Sequence, residues 1–249
     1  MATVPSYRPS RYETPLRDRQ QIAEGTMAFY LQRPAGFEFR AGQALDLTLI
    51  EPPETDAEGN TRAFSIASSP FESDHLMVAT RMRDTAFKRA LKTLPLGTNV
   101  RIEGPSGSFT LHNNAKKPAV FLIGGIGITP VLSILRQATR EKRPHQLYLF
   151  YSNRRPEDAA FMDELQGLAA ENSNLHFIPS MTQMSKSRQT WNGETGFITQ
   201  AMVAQYLKEM QGPIYYMAGP PAMVAAMRDM LVDAQVDEDD IRTEEFSGY

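Results

Sequence analysis

Phe121-Leu-Ile-Gly-Gly-Ile-Gly-Ile-Thr-Pro130 is the stretch on which the reading of this chain turns. An apolar run stops at a cluster of glycines and restarts at Thr129-Pro130, where a hydroxyl can cap a helix and a proline suits its first position. Strand, tight turn and helix N-terminus in that order can cradle a pyrophosphate with backbone N–H groups and the helix dipole. The stretch lies mid-chain, so a complete domain has room to precede it.

Downstream of Lys117-Pro118 the pattern alternates. Residues 119–123, 146–151, 175–181 and 214–217 read as strands, and 130–141, 158–171, 199–209 and 222–234 as helices. Continuously apolar strands between amphipathic helices predict a parallel sheet covered on both faces. The acidic run at 237–240 reads as a solvated turn before a last strand.

Upstream, 44–50, 75–82 and 99–103 are short alternating segments, with one helix expected over 85–94. Gly36, Gly42, Pro52-Pro53, Gly59, Gly97 and Gly104-Pro105 punctuate them. This half reads as a small antiparallel β-barrel. The expected division is a barrel domain over 1–114 and an α/β nucleotide-binding domain over 115–249.

Composition narrows the chemistry. The 249 residues are 41% hydrophobic and 22% charged, typical of a globular protein, and the net charge of −3 gives no support for a nucleic-acid partner. With no cysteine, the chain can hold neither a disulfide, a thiolate nucleophile nor a Cys-ligated iron–sulfur cluster. His75, His112, His145 and His176 have no histidine or carboxylate at i+3 or i+4, so no metal is expected. No apolar run approaches the ~20 residues that span a bilayer, and residues 1–12 lack the apolar core of a signal peptide. A cytoplasmic location is the expectation.

In a strand, Arg62 and Phe64 of Arg62-Ala-Phe-Ser65 share one side and Ala63 takes the other. A guanidinium pairs bidentately with phosphate, an aromatic ring stacks on a flat ligand, and the Ser65 hydroxyl can donate to a ring nitrogen. This segment is followed by Gly104-Pro-Ser-Gly-Ser-Phe109, Gly124-Gly-Ile-Gly-Ile-Thr-Pro130, Tyr151-Ser-Asn153 and Met217-Ala-Gly-Pro-Pro221. That ordered set resembles the ferredoxin–NADP reductase superfamily, from Gly42-Gln43 to Glu245-Phe246.

The resemblance implies a flavin-binding barrel followed by a nicotinamide-nucleotide domain. It assigns Arg62, Ala63, Phe64 and Ser65 to the flavin, with Arg62 on its pyrophosphate, Phe64 against the isoalloxazine where the family more often has Tyr, and Ser65 near N5. Arg81 and Thr85 would serve the flavin phosphates. Gly124, Gly125, Gly127, Thr129 and Pro130 would hold the nicotinamide nucleotide's pyrophosphate, with Ser152 and Asn153 at the end of the next strand. Gly219, Pro220 and Pro221 would wall the nicotinamide; the usual preceding Cys is Ala218 here. Glu245 is the candidate for proton transfer, and Phe246 or Tyr249 for shielding the ring. For a 2′-phosphate the candidates are Arg154 and Arg188, near Ser180, which tilts the reading slightly towards NADPH.

FAD is favoured over FMN. The implied activity is hydride transfer from NAD(P)H to bound FAD, with electrons passed to a ferredoxin, flavodoxin or oxygenase component. Arg11, Arg17, Arg19 and Lys88 are candidates for docking an acidic partner. The alternatives are a free-standing flavin or quinone reductase and a non-catalytic electron-transfer or regulatory subunit of the same fold.

Overall fold

A computed structural model describes residues 10–246. In the first half, β1 (Ser10–Ala23), β2 (Thr26–Gln32), β3 (Ala44–Leu49), β4 (Thr61–Ser65), β5 (His75–Arg81) and β6 (Asn99–Ser106) form one sheet in the order β4-β3-β6-β1-β2-β5. Every pairing in it is antiparallel. The sheet curls until its edges meet just past β4, where Ala67 N–H donates to the Met77 carbonyl at 2.8 Å. Leu16, Phe29, Leu45, Leu47 and Phe87 fill the interior. Helix α1 (Ala86–Thr93) plugs one end; Thr85 Oγ1 caps it by accepting from Lys88 N–H, and Arg19 satisfies its last carbonyls.

The second half is a parallel sheet in the order β10-β9-β8-β7-β11-β12. Its strands are β7 (Ala119–Gly124), β8 (Leu147–Asn153), β9 (Leu175–Met181), β10 (Glu194–Thr195), β11 (Ile214–Gly219) and β12 (Ile241–Glu245). Alternation within each apolar strand serves two cores. Phe121, Ile123 and Tyr151 face α2 (Ile128–Arg140) and α3 (Met162–Glu171). Val120, Leu122 and Phe150 face α4 (Gln200–Tyr206) and α5 (Pro221–Asp233). Burial on both faces is why these strands carry no polar alternation.

Two expectations shift. The helix expected over 158–171 begins only at Met162, because Pro156–Asp158 forms a 3-10 turn and Phe161 takes a left-handed φ of 60°. Nor does Thr129 cap α2: that helix starts at Ile128 behind a 3-10 turn, Gly125–Gly127, and the Thr129 hydroxyl donates back to the Ile126 carbonyl at 3.1 Å.

The halves meet along two seams. On α2, Ser133 Oγ donates to the Ser68 carbonyl at 2.6 Å and Arg136 to the Ala67 carbonyl at 3.1 Å. The other seam is ionic. Asp158, only 3% exposed, accepts from Arg155 at 2.7 and 2.9 Å and pairs with Arg81 of the barrel at 3.4 Å. Glu24, between β1 and β2, pairs with Arg155 at 3.2 Å and Arg188 at 3.3 Å. Beside this seam lies an open cleft lined by Gln21 and Tyr30 of the barrel and by Met162 and Trp191 of the α/β half.

Candidate functional site

The carboxyl ends of β7, β8 and β11 lie side by side, with Gly124 opposite Ser152 and Ala218 opposite Ile123. In a parallel sheet this edge is where ligands are received. Here the backbones are packed too closely for a side chain. A Cβ on Gly127 would stand 2.4 Å from the Ala218 carbonyl oxygen, and one on Gly219, whose φ is +156°, 3.1 Å from Gly124 N. Gly125, φ 50°, turns the chain from β7 towards α2. Pro130 is the third residue of α2 and is buried with Thr129. Pro220 stands before α5 and Pro221 opens it, a position where a missing N–H costs nothing.

Across the domain boundary, Ser65 at the end of β4 donates to Glu244 Oε1 at 3.3 Å. Glu244 sits on β12 opposite Ala218. Burial pushes its carboxyl up to about 7, against the hydrogen bond from Ser65, and its Oε2 is buried without a partner. The carboxylate at this junction is therefore Glu244, not the Glu245 expected from the sequence. Neighbours on a strand face opposite ways, and Glu245 is exposed. Phe246 follows, its N–H donating to the Gly219 carbonyl at 3.1 Å and its ring half-buried against the core. Tyr249 lies outside the described residues.

Arg62 and Phe64 share a face, as strand alternation requires, and both meet Phe87: the guanidinium lies 5.1 Å from that ring's centroid and Phe64 packs at 6.0 Å. Phe64 is thereby turned into the barrel core at 8% exposure, and Ala63 is exposed on the opposite side. Arg81 is engaged by Asp158, and its carbonyl accepts from Lys88 Nζ at 2.8 Å.

At the far side of the sheet edge, Ser152 and Asn153 are buried, and the Asn153 side-chain amide nitrogen has no partner. Arg154 is exposed, and its guanidinium makes no hydrogen bond or ion pair among the described residues. Ser180 is fully buried and donates to the Gly196 carbonyl at 2.7 Å, which withdraws it from a ribose phosphate. The four basic residues proposed for docking all have partners within the barrel half. Arg11 pairs with Glu103, Arg17 bonds Gln32, Arg19 closes α1 and Lys88 is half-buried on the Arg81 carbonyl.

A flavin and a nicotinamide nucleotide fit what is present. An acceptor at the domain junction, Glu244 Oε2, and a donor at the end of β8, three strands away, Asn153 Nδ2, are buried without partners. Such groups are costly unless something pairs with them. Between them, the glycines let the turn before α2 and the end of β11 pack backbone to backbone. Among the described residues, no group of His, Asp and Glu is placed to hold a metal, and no helix is long and apolar enough to cross a membrane.

Residues 13–111 match the oxidoreductase FAD-binding domain family and residues 121–229 the oxidoreductase NAD-binding domain family. Ferredoxin–NADP reductase B of Sorangium cellulosum (strain So ce56) is 31% identical over 201 residues, covering 78% of this chain and 79% of that protein. This chain belongs to the ferredoxin–NADP reductase superfamily.

Its two halves are the FAD-binding and NAD-binding domains of that superfamily. It is also similar to one component of the Na(+)-translocating NADH-quinone reductase of Methylococcus capsulatus (strain Bath), at 29% identity over 96% of this chain and 68% of that component. Of the same component in several other bacteria, Shewanella denitrificans among them, the chain spans about half the length. The ferredoxin NADP+ reductase of Neisseria gonorrhoeae, solved with bound FAD and NADP, superposes with a TM-score of 0.78 at 21% identity, over 94% of this chain and 98% of that one. At that identity the likeness is one of fold.

Proposed function

We propose that this superfamily member passes electrons from NAD(P)H, through FAD held in the barrel domain, to a separate protein acceptor such as a ferredoxin, a flavodoxin or an oxygenase component. The observation that carries the reading is the Ser65–Glu244 pair, which joins the barrel to the α/β domain at the glycine edge of the parallel sheet. When bound, FAD supplies acceptance of hydride from reduced nicotinamide and release of electrons singly or in pairs.

The chain's own part is binding, orientation and proton custody. Arg62 and the start of α1 are the groups assigned to the flavin phosphates, and the turn before α2 to those of the nicotinamide nucleotide. Gly219 and Ala218 leave the strand end flat, so a ring can lie against it and be held for transfer, a proximity effect. Ser65 orients Glu244. With its carboxyl near 7, Glu244 can hold or give up a proton at Oε2 close to neutral pH. Arg154, unpaired at the end of β8, supports NADPH over NADH. These 249 residues have no thiolates to ligate an iron–sulfur cluster, which is in keeping with a separate acceptor. A cytoplasmic location suits that role.

The test is an absorption spectrum of the purified protein followed by anaerobic addition of NADPH and, separately, NADH. Flavin bands that bleach, faster with NADPH, are the expected result. Bands indifferent to both nucleotides would favour a non-catalytic subunit. No flavin bands, even after reconstitution with FAD and FMN, would overturn the assignment. Coupled reduction of a ferredoxin, as against turnover of free flavin or quinone alone, separates a protein acceptor from a free-standing reductase.

A further inference from the structure

In the barrel, the anion site formed by Arg62 and the start of α1 is filled by the chain itself. The Arg62 guanidinium presents two edges. Its NH1 donates to the carbonyls of Glu58, Gly59 and Thr61 at 3.0, 2.9 and 2.8 Å, which fixes its orientation. Its NH2 is held by Asp56 Oδ1 at 3.1 Å and Glu58 Oε2 at 3.0 Å. The NH2 edge is the one left for a phosphate, because the carbonyls already use NH1.

Asp56 does more than pair with Arg62. Its carboxylate also accepts from the backbone N–H of Glu58 at 3.1 Å, and the nearby backbone N–H of Ala86, the first residue of α1, helps hold it below the usual carboxylate range. A guanidinium and a helix-start N–H are what a bound phosphate would use. The β3–β4 loop that carries Asp56 holds Glu51, Glu54, Asp56 and Glu58 over 51–60, with no Lys or Arg. Arg89 anchors the same loop through Glu54 at 2.8 Å.

We propose that Asp56, assisted by Glu58, is an internal competitor for the flavin pyrophosphate: it occupies the Arg62–α1 anion site, and the β3–β4 loop gives it up when flavin binds. The proposal rests on the reading of Arg62 as the flavin-phosphate ligand. Asp56 and Glu58 side chains are 32% and 75% exposed, so neutralising them leaves the barrel core untouched. The three carbonyls would still hold Arg62 in place.

The experiment titrates FAD into the whole flavin-stripped protein and follows quenching of flavin fluorescence. Wild type, Asp56→Asn/Glu58→Gln and Arg62→Ala are compared, each checked by thermal denaturation without flavin. The double variant is expected to bind FAD about four- to 25-fold tighter, since each of the two exposed ion pairs to be displaced weighs roughly a factor of two to five. Its flavin-free stability should be equal or lower, so the gain cannot come from tighter folding. Unchanged or weaker binding overturns the proposal and makes the carboxylates supports for Arg62. Arg62→Ala separates the two ideas. At least tenfold weaker binding keeps the Arg62 reading whatever the loop variant does; unchanged binding rejects that reading and the proposal with it.

Discussion

Glu244 and Glu245 are chemically identical neighbours, and only the phase of β12 tells them apart. The strand places Glu244 against Ser65 and leaves Glu245 in water. Because burial raises the Glu244 carboxyl from an ordinary 4.5 to about 7, the folded chain holds a proton there that the unfolded chain releases. The stability contributed by this group is therefore full below about pH 4.5 and is lost as pH rises through 7. Glu244→Gln, neutral at every pH, is expected to match wild type at pH 4.5 and to exceed it at pH 8 by up to about 3 kcal/mol. Denaturant unfolding of the flavin-free protein at the two pH values checks this; a difference that does not vary with pH would place the charge elsewhere. Ser65 and the glycines of the site were legible because their chemistry needs those residue types. The partner of Ser65 was not, because two adjacent glutamates give one signal. Asp56 escaped notice for a related reason: nothing local marks one carboxylate of an acidic loop as the partner of Arg62.

At the scale of elements, the β7–turn–α2 unit is set by what β11 permits. Gly127→Ala would drive a methyl to 2.4 and 2.5 Å from the Ala218 carbonyl, and backbone atoms cannot step aside as a side chain can. The variant is expected to lose about 1–3 kcal/mol and to bind nicotinamide nucleotide at least tenfold more weakly, because the turn must retreat from the strand. Gly167→Ala is the control. That glycine is inside α3 with nothing within 4 Å of the new methyl, so stability should rise by about 0.5–1 kcal/mol. Both are read by thermal denaturation. The parallel strands could be read from sequence because burial on two faces leaves unbroken apolar runs. The longest strand, β1, could not. Of its 14 residues only Thr14 and Leu16 are buried, so charges and amides cover most of it and no alternation survives.

For the whole molecule, the halves are joined by the α2 seam, where Arg136 also pairs with Glu72 at 3.2 Å, and by the seam around Asp158. The second hangs on Asp158, whose carboxyl is held below the usual range by the hydrogen bonds from Arg155, with Arg81 adding to the effect against burial. Asp158→Asn leaves two guanidinium groups without their shared carboxylate. It is expected to cost about 1.5–3 kcal/mol and to raise the KM for NAD(P)H more than it lowers kcat, since the turn after β8 loosens beside the nucleotide edge. Steady-state kinetics test this: the wild type should keep its advantage as salt rises, because a buried carboxylate is weakly screened, and a pure kcat effect would contradict it. The two-domain plan was visible from the change of periodicity near residue 115. The seams were not, because their residues are scattered over Glu24, Arg81, Arg155 and Arg188.

Trp191 stands in the cleft beside that ionic seam, its indole N–H donating to the Glu194 carbonyl at 2.8 Å and its ring half-buried against the α/β core. It is the chain's only tryptophan. Each molecule thus carries one ultraviolet lamp fixed to the α/β half and facing the barrel. A yellow chromophore seated in the barrel would dim it by energy transfer. The distance between the halves can be watched by emission lifetime in unlabelled protein, with no dye to disturb it.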